Sequence, residues 1–175
     1  TAEWHLGKTL EGRSRLDEQA QFLDELYQIV KDEHIDVIVM AGDAFDTVNP
    51  PARAEQLFYE SLSALSDKGK RQVVVISGNH DNPDRLSAAS PLTNDQGIHL
   101  IGYPTNDIIR VDVPSSSERL SIAALAYPSE ARLNEVLAET FEEKVLRDHY
   151  NLKIQQAFQH LSTQFQPDTV NIATS

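Results

Sequence analysis

Short apolar runs alternate along the first part of the chain with longer stretches in which apolar residues recur every three or four positions. The runs at 37–40 and 72–76 consist almost entirely of Val, Ile and Met. Each is followed two residues later by a glycine, Gly42 or Gly78. Continuous apolar runs of this length predict strands that are buried on both faces of a mostly parallel sheet.

Residues 16–31 and 52–68 predict amphipathic helices. In the first of these, the apolar side chains fall on one stripe and acidic residues lie outside it. The residues of that stripe are Phe22, Leu23, Leu26, Ile29 and Val30. The pair Pro50-Pro51 suits the start of the second helix, because proline is tolerated in a first turn. The alternation of strands and helices predicts right-handed crossovers between parallel strands.

After Pro83 the pattern changes to shorter elements. We expect strands at 98–101, 108–113, 120–125 and 170–173, a turn at 114–117, and helices at 129–137 and 141–165. The chain, 1–175, is then predicted to be part of a single α/β domain, with mixed and parallel sheets flanked by helices. No strand precedes Thr1 and the chain stops inside a predicted strand, so we expect the domain to be truncated at both ends.

The composition excludes several classes of site and favours others. Cysteine is absent, which excludes disulfides, zinc fingers and thiol catalysis and agrees with a cytoplasmic protein. No apolar stretch is long enough for a membrane span, so we expect no membrane partner. With 27 acidic residues against 15 Lys and Arg, the net charge of −12 disfavours nucleic-acid binding through the overall field. Divalent ions held by carboxylates can reverse that sign locally.

Three polar clusters carry the candidate chemistry. They are Glu3-Trp4-His5, Gly42-Asp43-Ala44-Phe45-Asp46 and Gly78-Asn79-His80-Asp81. The second and third follow predicted strands, and the first is typical of a loop at a strand end. Open α/β sheets bind ligands at the edge where the carboxyl ends of parallel strands meet. We therefore expect all three clusters to face one cleft.

The residue types in these clusters match a metal site. Carboxylate, imidazole and amide oxygen are ligands for Mn, Fe, Zn or Mg. A carboxylate such as Asp43 can bridge two ions, which clamp a phosphoryl group and acidify a water molecule. Taken alone, each cluster is also compatible with an ordinary turn or helix start. Their combination at three strand ends favours a functional site.

The second and third clusters carry a family resemblance. The pattern Gly42-Asp43-x-x-Asp46 followed by Gly78-Asn79-His80-Asp81 resembles the signature of the calcineurin-like metallophosphoesterases. The likeness extends over the whole chain and is greatest to nuclease members of the family, notably at 1–8, 87–92 and 98–102. Those nucleases are subunits of bacterial complexes whose ATPase partner carries a long coiled coil.

The resemblance implies a site for two divalent ions, with Mn preferred and Mg possible. Glu3 and His5 would hold the first ion, Asp43 would bridge both ions, and Asn79 would hold the second. The family has Asp where this chain has Glu3, and Glu reaches one methylene further. The family also uses further His ligands beyond residue 170, including a Gly-His-x-His motif, which these 175 residues do not contain. The resemblance therefore implies that 1–175 is the N-terminal portion of a single metallophosphoesterase nuclease domain, and we expect an incomplete site within this chain.

The resemblance also implies roles for residues that bind no metal. His80 would contact the scissile phosphate or protonate the leaving oxygen, and Asp81 would support its imidazole. Asp46 would orient His5 or its loop. Candidate phosphate contacts, which could equally be ordinary surface residues, are Arg13, Arg15 and Arg53.

The function implied is Mn-dependent hydrolysis of DNA phosphodiesters. It comprises 3′–5′ exonuclease activity on duplex ends and endonuclease activity on single strands or hairpins, in DNA repair, recombination and replication. The implied partners are DNA, a coiled-coil ATPase subunit and a second copy of the nuclease subunit, at the nucleoid in the cytoplasm. Two alternatives stay open. One is a phosphoesterase for small or protein-borne phosphates, and the other is a non-catalytic fragment that binds DNA or the ATPase.

Overall fold

The computed structural model describes residues 1–129 and 150–175, which form four layers in the order helices, sheet, sheet, helix. The helices are α1 (Leu16–Asp32), α2 (Ala52–Ser66), α3 (Pro83–Ser87), α4 (Ser90–Thr93) and α5 (Tyr150–Ser162), with a 3₁₀ turn at Asn94–Gln96. The strands are β1 (Thr9–Leu10), β2 (Arg13–Ser14), β3 (Val37–Ala41), β4 (Gln72–Ile76), β5 (Ile98–Ile101), β6 (Ile109–Asp112), β7 (Arg119–Ala124) and β8 (Val170–Thr174).

The first sheet has the strand order β3-β4-β5 and is parallel throughout. Its central strand, β4, is buried along its whole length. On one face, Val73 and Val75 pack in the core formed with α1 and α2. On the other face, Val74 and Ile76 pack against the second sheet. Burial on both faces explains why this strand is a continuous apolar run in the sequence.

The second sheet, β6-β7-β8, covers the first sheet and is itself covered by α5. Strands β6 and β7 form an antiparallel hairpin around the turn at 114–117, whereas β7 and β8 are parallel. Ile122 of β7 points into the core between the sheets, and Ala123 points the other way, against Leu161 of α5. Alternate side chains of β7 therefore pack into two different hydrophobic cores.

The structure confirms most of the predicted elements. The six predicted strands are observed, each with bounds within one residue of the prediction. Helix α2 ends at Ser66 instead of residue 68, because Asp67 adopts a left-handed backbone conformation. The hairpin β1–β2 and the short helices α3 and α4 were not predicted. The expected helix at 129–137, apart from its first residue, and the part of 141–165 before Tyr150 lie outside the described residues.

Helix α1 corrects one expectation about the core. Leu23 and Val30 are buried against the sheet, but Phe22 is 44% exposed and Ile29 is 50% exposed. The predicted stripe was therefore wider than the face that the sheet covers. Among the described helices, none is long and apolar enough to cross a membrane.

Candidate metal centre

The first six residues lie beside the end of β3 and deliver the first polar cluster to the sheet edge. The N–H of Ala41 donates to the carbonyl of Thr1 at 2.9 Å, and the N–H of His5 donates to the carbonyl of Asp43, also at 2.9 Å. A parallel bridge joins Leu6 to Phe45. The three clusters therefore meet at the carboxyl edge of the first sheet, as predicted, although no described strand precedes the first cluster.

Three of the candidate ligands have an unusual backbone conformation. Glu3, His5 and Asp43 have φ values of +56°, +44° and +50°, in the left-handed region that non-glycine residues seldom occupy. Such conformations cost about 1–3 kcal/mol and are found mainly where the surroundings enforce them for function. Here, hydrogen bonds between the first segment and the loop after β3 enforce them.

Gly78 allows the loops after β3 and β4 to approach each other closely. A Cβ atom at this position would lie 2.0 Å from Oδ1 of Asp43 and 2.3 Å from its backbone nitrogen. With glycine there, the N–H of His80 donates to Oδ1 of Asp43 at 3.0 Å. The glycine is therefore required so that Asp43 can be held between the two loops.

Glu3, His5 and Asp43 bring donor atoms to one point. Nε2 of His5 lies 3.0 Å from Oε2 of Glu3 and 3.7 Å from Oδ2 of Asp43. All three donor atoms lie within 4.8 Å of one another. Asp43 is 4% exposed, whereas the Glu3 side chain extends into solvent. Two carboxylates and an imidazole suit a divalent cation.

A second group shares His5 and adds Asp46 and His80. Nδ1 of His5 lies 3.5 Å from Oδ1 of Asp46, and the rings of His5 and His80 meet edge to face at 5.0 Å between centroids. Nδ1 of His5 is buried and has no hydrogen-bond partner in the described part of the chain. Asp46 therefore lies where its carboxylate can orient the imidazole of His5.

The donor set fits a divalent metal ion. A carboxylate as buried as that of Asp43, facing an imidazole and a second carboxylate, needs a compensating positive charge. Glu3, His5 and Asp43 would hold one ion. Asn79 lies exposed on the loop after β4, next to the glycine that contacts Asp43. Its amide oxygen is a candidate metal ligand on that loop.

His80 has a defined ring orientation. Its Nδ1–H donates to the backbone carbonyl of Asp46 at 2.9 Å, which leaves Nε2 on the other side of the ring. This hydrogen bond raises the pKa of His80, and the nearby carboxylates of Asp43, Asp46 and Asp81 raise it further. A raised pKa favours the form with a proton on Nε2, which suits a group that donates to a phosphate or a leaving oxygen.

Asp81 has different partners from those expected. Its carboxylate accepts hydrogen bonds from the backbone N–H groups of Ala44, Phe45 and Gly78, at 3.1, 2.9 and 2.8 Å. The imidazole of His80 is instead oriented by the Asp46 carbonyl. Burial raises the pKa of Asp81, although its three hydrogen bonds favour the charged form. Asp81 therefore joins the loops after β3 and β4.

Gln19 of α1 supports the site and was not predicted from the sequence. Its Nε2 donates to the carbonyls of His5, at 2.7 Å, and of Trp4, at 3.3 Å. Its Oε1 accepts from the N–H of Gly7 at 3.1 Å. A single glutamine thus fixes the segment that carries His5. In the sequence, the only sign of this role is that Gln19 is a polar residue beside the apolar stripe of α1.

The three candidate phosphate contacts are separated in the structure. Arg15 lines a groove beside Glu3 and His5, and its Nε donates to Glu18 at 2.8 Å. Arg53 lines a different cavity, between α1 and α2. Arg13 lies exposed in β2. Only Arg15 shares a groove with the candidate metal ligands among the described cavities.

Comparisons with known proteins give the family of the chain. The model of the calcineurin-like phosphoesterase family matches residues 2–171. The SbcD subunit of the nuclease SbcCD of Bacillus subtilis is 74% identical over 175 residues, which is all of this chain and 45% of that protein. The SbcD subunit of the same nuclease in Rhodobacter capsulatus is 41% identical over 103 residues, 58% of this chain and 25% of that protein.

These matches confirm the resemblance and the fold class predicted from the sequence. The chain spans less than half of the length of the curated relatives that it matches. The chain belongs to the calcineurin-like phosphoesterase family.

Proposed function

We propose that the protein containing this chain hydrolyses DNA phosphodiesters with divalent metal ions, Mn in preference to Mg. The observation that carries the proposal is the convergence of Glu3, His5 and Asp43, within 4.8 Å of one another, in a chain 74% identical to part of a nuclease. Metal ions at such a site supply charge for the phosphate and an acidified water as nucleophile. The nuclease activity named for the relative supports DNA as the substrate in preference to small or protein-borne phosphates.

In this proposal the protein supplies positioning and a proton. Asp43 is held between two loops, and Glu3 and His5 are held by the backbone pairing of the first segment. These contacts keep the candidate metal ligands in place. His80 binds the scissile phosphate or donates a proton from Nε2 to the leaving sugar oxygen, while the Asp46 carbonyl holds its Nδ1. Asp81 keeps the two loops together through three backbone hydrogen bonds.

The finer activities are those that the family resemblance implies. We propose 3′–5′ exonuclease activity on duplex ends and endonuclease activity on single strands and hairpins, in repair, recombination and replication of DNA. The name SbcCD supports an SbcC-type subunit as the partner, and the resemblance implies that this subunit is a coiled-coil ATPase. A dimer of nuclease subunits, acting at the nucleoid in the cytoplasm, completes the proposal.

The test compares two substrates and two histidines in the full-length natural protein. End-labelled duplex DNA and an aryl phosphomonoester are incubated with Mn²⁺. We expect cleavage of DNA, and a loss of at least about 100-fold in His80→Asn, the contribution typical of acid–base catalysis. His34→Asn is the matched control, since His34 is exposed and follows α1, at the other edge of the sheet.

Monoester hydrolysis without DNA cleavage would support the phosphoesterase alternative. DNA cleavage that His80→Asn leaves unchanged would show that this site does not catalyse it. Binding of DNA without any hydrolysis would support the non-catalytic alternative.

A further inference from the structure

A groove of about 380 Å³ opens beside the candidate metal centre. Its walls are the first segment, with Glu3, His5 and Lys8, and the start of α1, with Arg15 and Phe22. The groove shares Glu3 and His5 with the metal centre, so a molecule bound in it would lie beside the candidate metal ligands. Its volume is at the lower end of the range of small-ligand pockets. That size suits one nucleotide.

Phe22 provides an aromatic surface in this groove. It is 44% exposed, whereas its neighbour Leu23 is buried in the core. An aromatic ring in a groove beside a phosphodiesterase site is a surface on which an unpaired base can stack. Such stacking is the common way in which proteins hold single-stranded nucleic acid without reading its sequence.

Lys8 provides the available positive charge. Its side chain is 53% exposed and its Nζ lies 3.9 Å from Oδ1 of Asp46, which is a weak ion pair. Arg15 is also in the groove, but its guanidinium is engaged with Glu18. Lys8 is therefore the cation of this groove that can turn toward a phosphate with the smallest loss of existing contacts.

We propose that this groove binds one unpaired nucleotide of the substrate strand, with its base stacked on Phe22 and the adjoining phosphate on Lys8. The inference rests on the proposed nuclease function and adds to it a binding site for the strand next to the cleaved bond. It makes Phe22 a determinant of activity on single strands and frayed ends.

Binding is measured first, in EDTA and with the full-length protein, so that no cleavage occurs. The probe is a short single strand that contains 2-aminopurine, whose fluorescence falls when the base stacks. We expect Phe22→Ala to bind about tenfold more weakly and to lose the fluorescence change. Phe22→Tyr keeps the ring and should retain both. Ile29→Ala, which truncates another exposed apolar residue of α1, should behave as the wild type.

The contribution of Lys8 is read from the salt dependence of binding. Lys8→Ala should reduce the slope of log affinity against log salt by about 0.7, the value for one phosphate contact on a single strand. Lys70→Ala, at the far edge of the sheet, should leave the slope unchanged.

Measuring cleavage with Mn²⁺ distinguishes a failure of the nucleotide-binding groove from a failure of the proposed nuclease function. The ratio of single-strand cleavage to hydrolysis of a small aryl phosphodiester should fall about tenfold in Phe22→Ala. If the wild type cleaves DNA and Phe22→Ala matches it in binding, fluorescence and ratio, the groove does not hold the nucleotide and the nuclease function stands. If the wild type hydrolyses only the small esters, the nuclease function itself is wrong.

Discussion

The two edges of the parallel sheet use the same unusual backbone conformation for different purposes. At the amino edge, His34, Asp67 and Lys68 have positive φ values of 53°, 46° and 59°. His34 follows the end of α1, and Asp67 and Lys68 follow the end of α2. A left-handed residue is a common way to end a helix. These residues turn the chain toward the next strand.

At the carboxyl edge, the left-handed residues are Glu3, His5 and Asp43, and none of them ends a described helix. Their side chains converge, whereas the carboxylate of Asp67 pairs with the nearby Lys70 of its own turn, at 3.1 Å. The comparison teaches that a strained conformation alone does not mark a site. Convergence of polar side chains from separate segments does.

The largest difference between the edges is expected from glycine substitutions. Gly78→Ala places a Cβ 2.0 Å from Oδ1 of Asp43, so the loops must separate or the protein must unfold. We expect a loss of about 3 kcal/mol or more in the free energy of unfolding. At the amino edge, Gly69→Ala meets its nearest atom at 3.5 Å and suffers only from its φ of +84°, a cost of about 1–2 kcal/mol. Urea denaturation measures both. Equal losses would mean that the close approach at Gly78 relaxes easily.

The second-largest effect is expected from replacing the buried carboxylate of Asp81. Asp81→Asn replaces an acceptor by an amide N–H₂ that faces backbone N–H groups, so at least one donor loses its partner. We expect a loss of about 2–3 kcal/mol in the free energy of unfolding. Asp112→Asn is the control, since Asp112 pairs with Arg119 at 2.8 Å on the surface and such exposed pairs contribute less than about 1 kcal/mol. A similar small effect of both substitutions would contradict the role of Asp81 in joining the two loops.

Metal affinity distinguishes the two left-handed aspartates directly. Asp43→Asn removes one candidate ligand charge, and we expect Mn²⁺ to bind at least about tenfold more weakly, a change of about 1.4 kcal/mol. Asp67→Asn makes the same chemical change at the amino edge, and asparagine also tolerates a left-handed backbone. It should leave the affinity unchanged. Calorimetric titration with Mn²⁺ measures both, and equal affinities would remove Asp43 from the metal centre.

Much of the fold could be predicted because burial leaves a clear pattern in the sequence. Strand β4 is buried on both faces and is apolar without interruption after Gln72. The face of α1 was less predictable. Leu23 and Val30, seven positions apart, contact the sheet, while Phe22 and Ile29 are turned about 100° away from them. The pattern of one helix does not show how wide a face its neighbours will cover.

The site was predictable where its residues belong to motifs and not where it depends on the backbone. Asp43 was predictable as a side chain in the loop at the end of a parallel strand, whereas Glu3 and His5 reach it through the backbone pairing of the first segment. The partners of His80 and Asp81 are a carbonyl and backbone N–H groups, which almost every residue possesses, so no residue type marks them. Gln19 was missed for the same reason, because it binds main-chain atoms of a segment far away in the sequence.

The smallest expected effect is a pH dependence at the amino half of the sheet. His99 of β5 is half-buried and its Nε2–H donates to Oε1 of Gln72 at 3.0 Å. Burial lowers the pKa of His99, so the unfolded chain binds a proton more readily than the folded protein. Stability is therefore full above the unfolded value of about 6.5 and falls as the pH drops toward the lower folded value, by about 1 kcal/mol or less.

His99→Gln keeps a donor for Gln72 and removes the titrating group. The free energy of unfolding of this variant should lose part of its decline between about pH 7 and pH 5. Ile101→Val, on the same strand, should lower stability by about 1 kcal/mol at every pH without changing the slope. If the slope of unfolding free energy against pH is unchanged in His99→Gln, groups other than His99 account for the loss of stability in acid. A reduced slope would show that His99, whose pKa is lowered by burial, contributes to the loss of stability in acid.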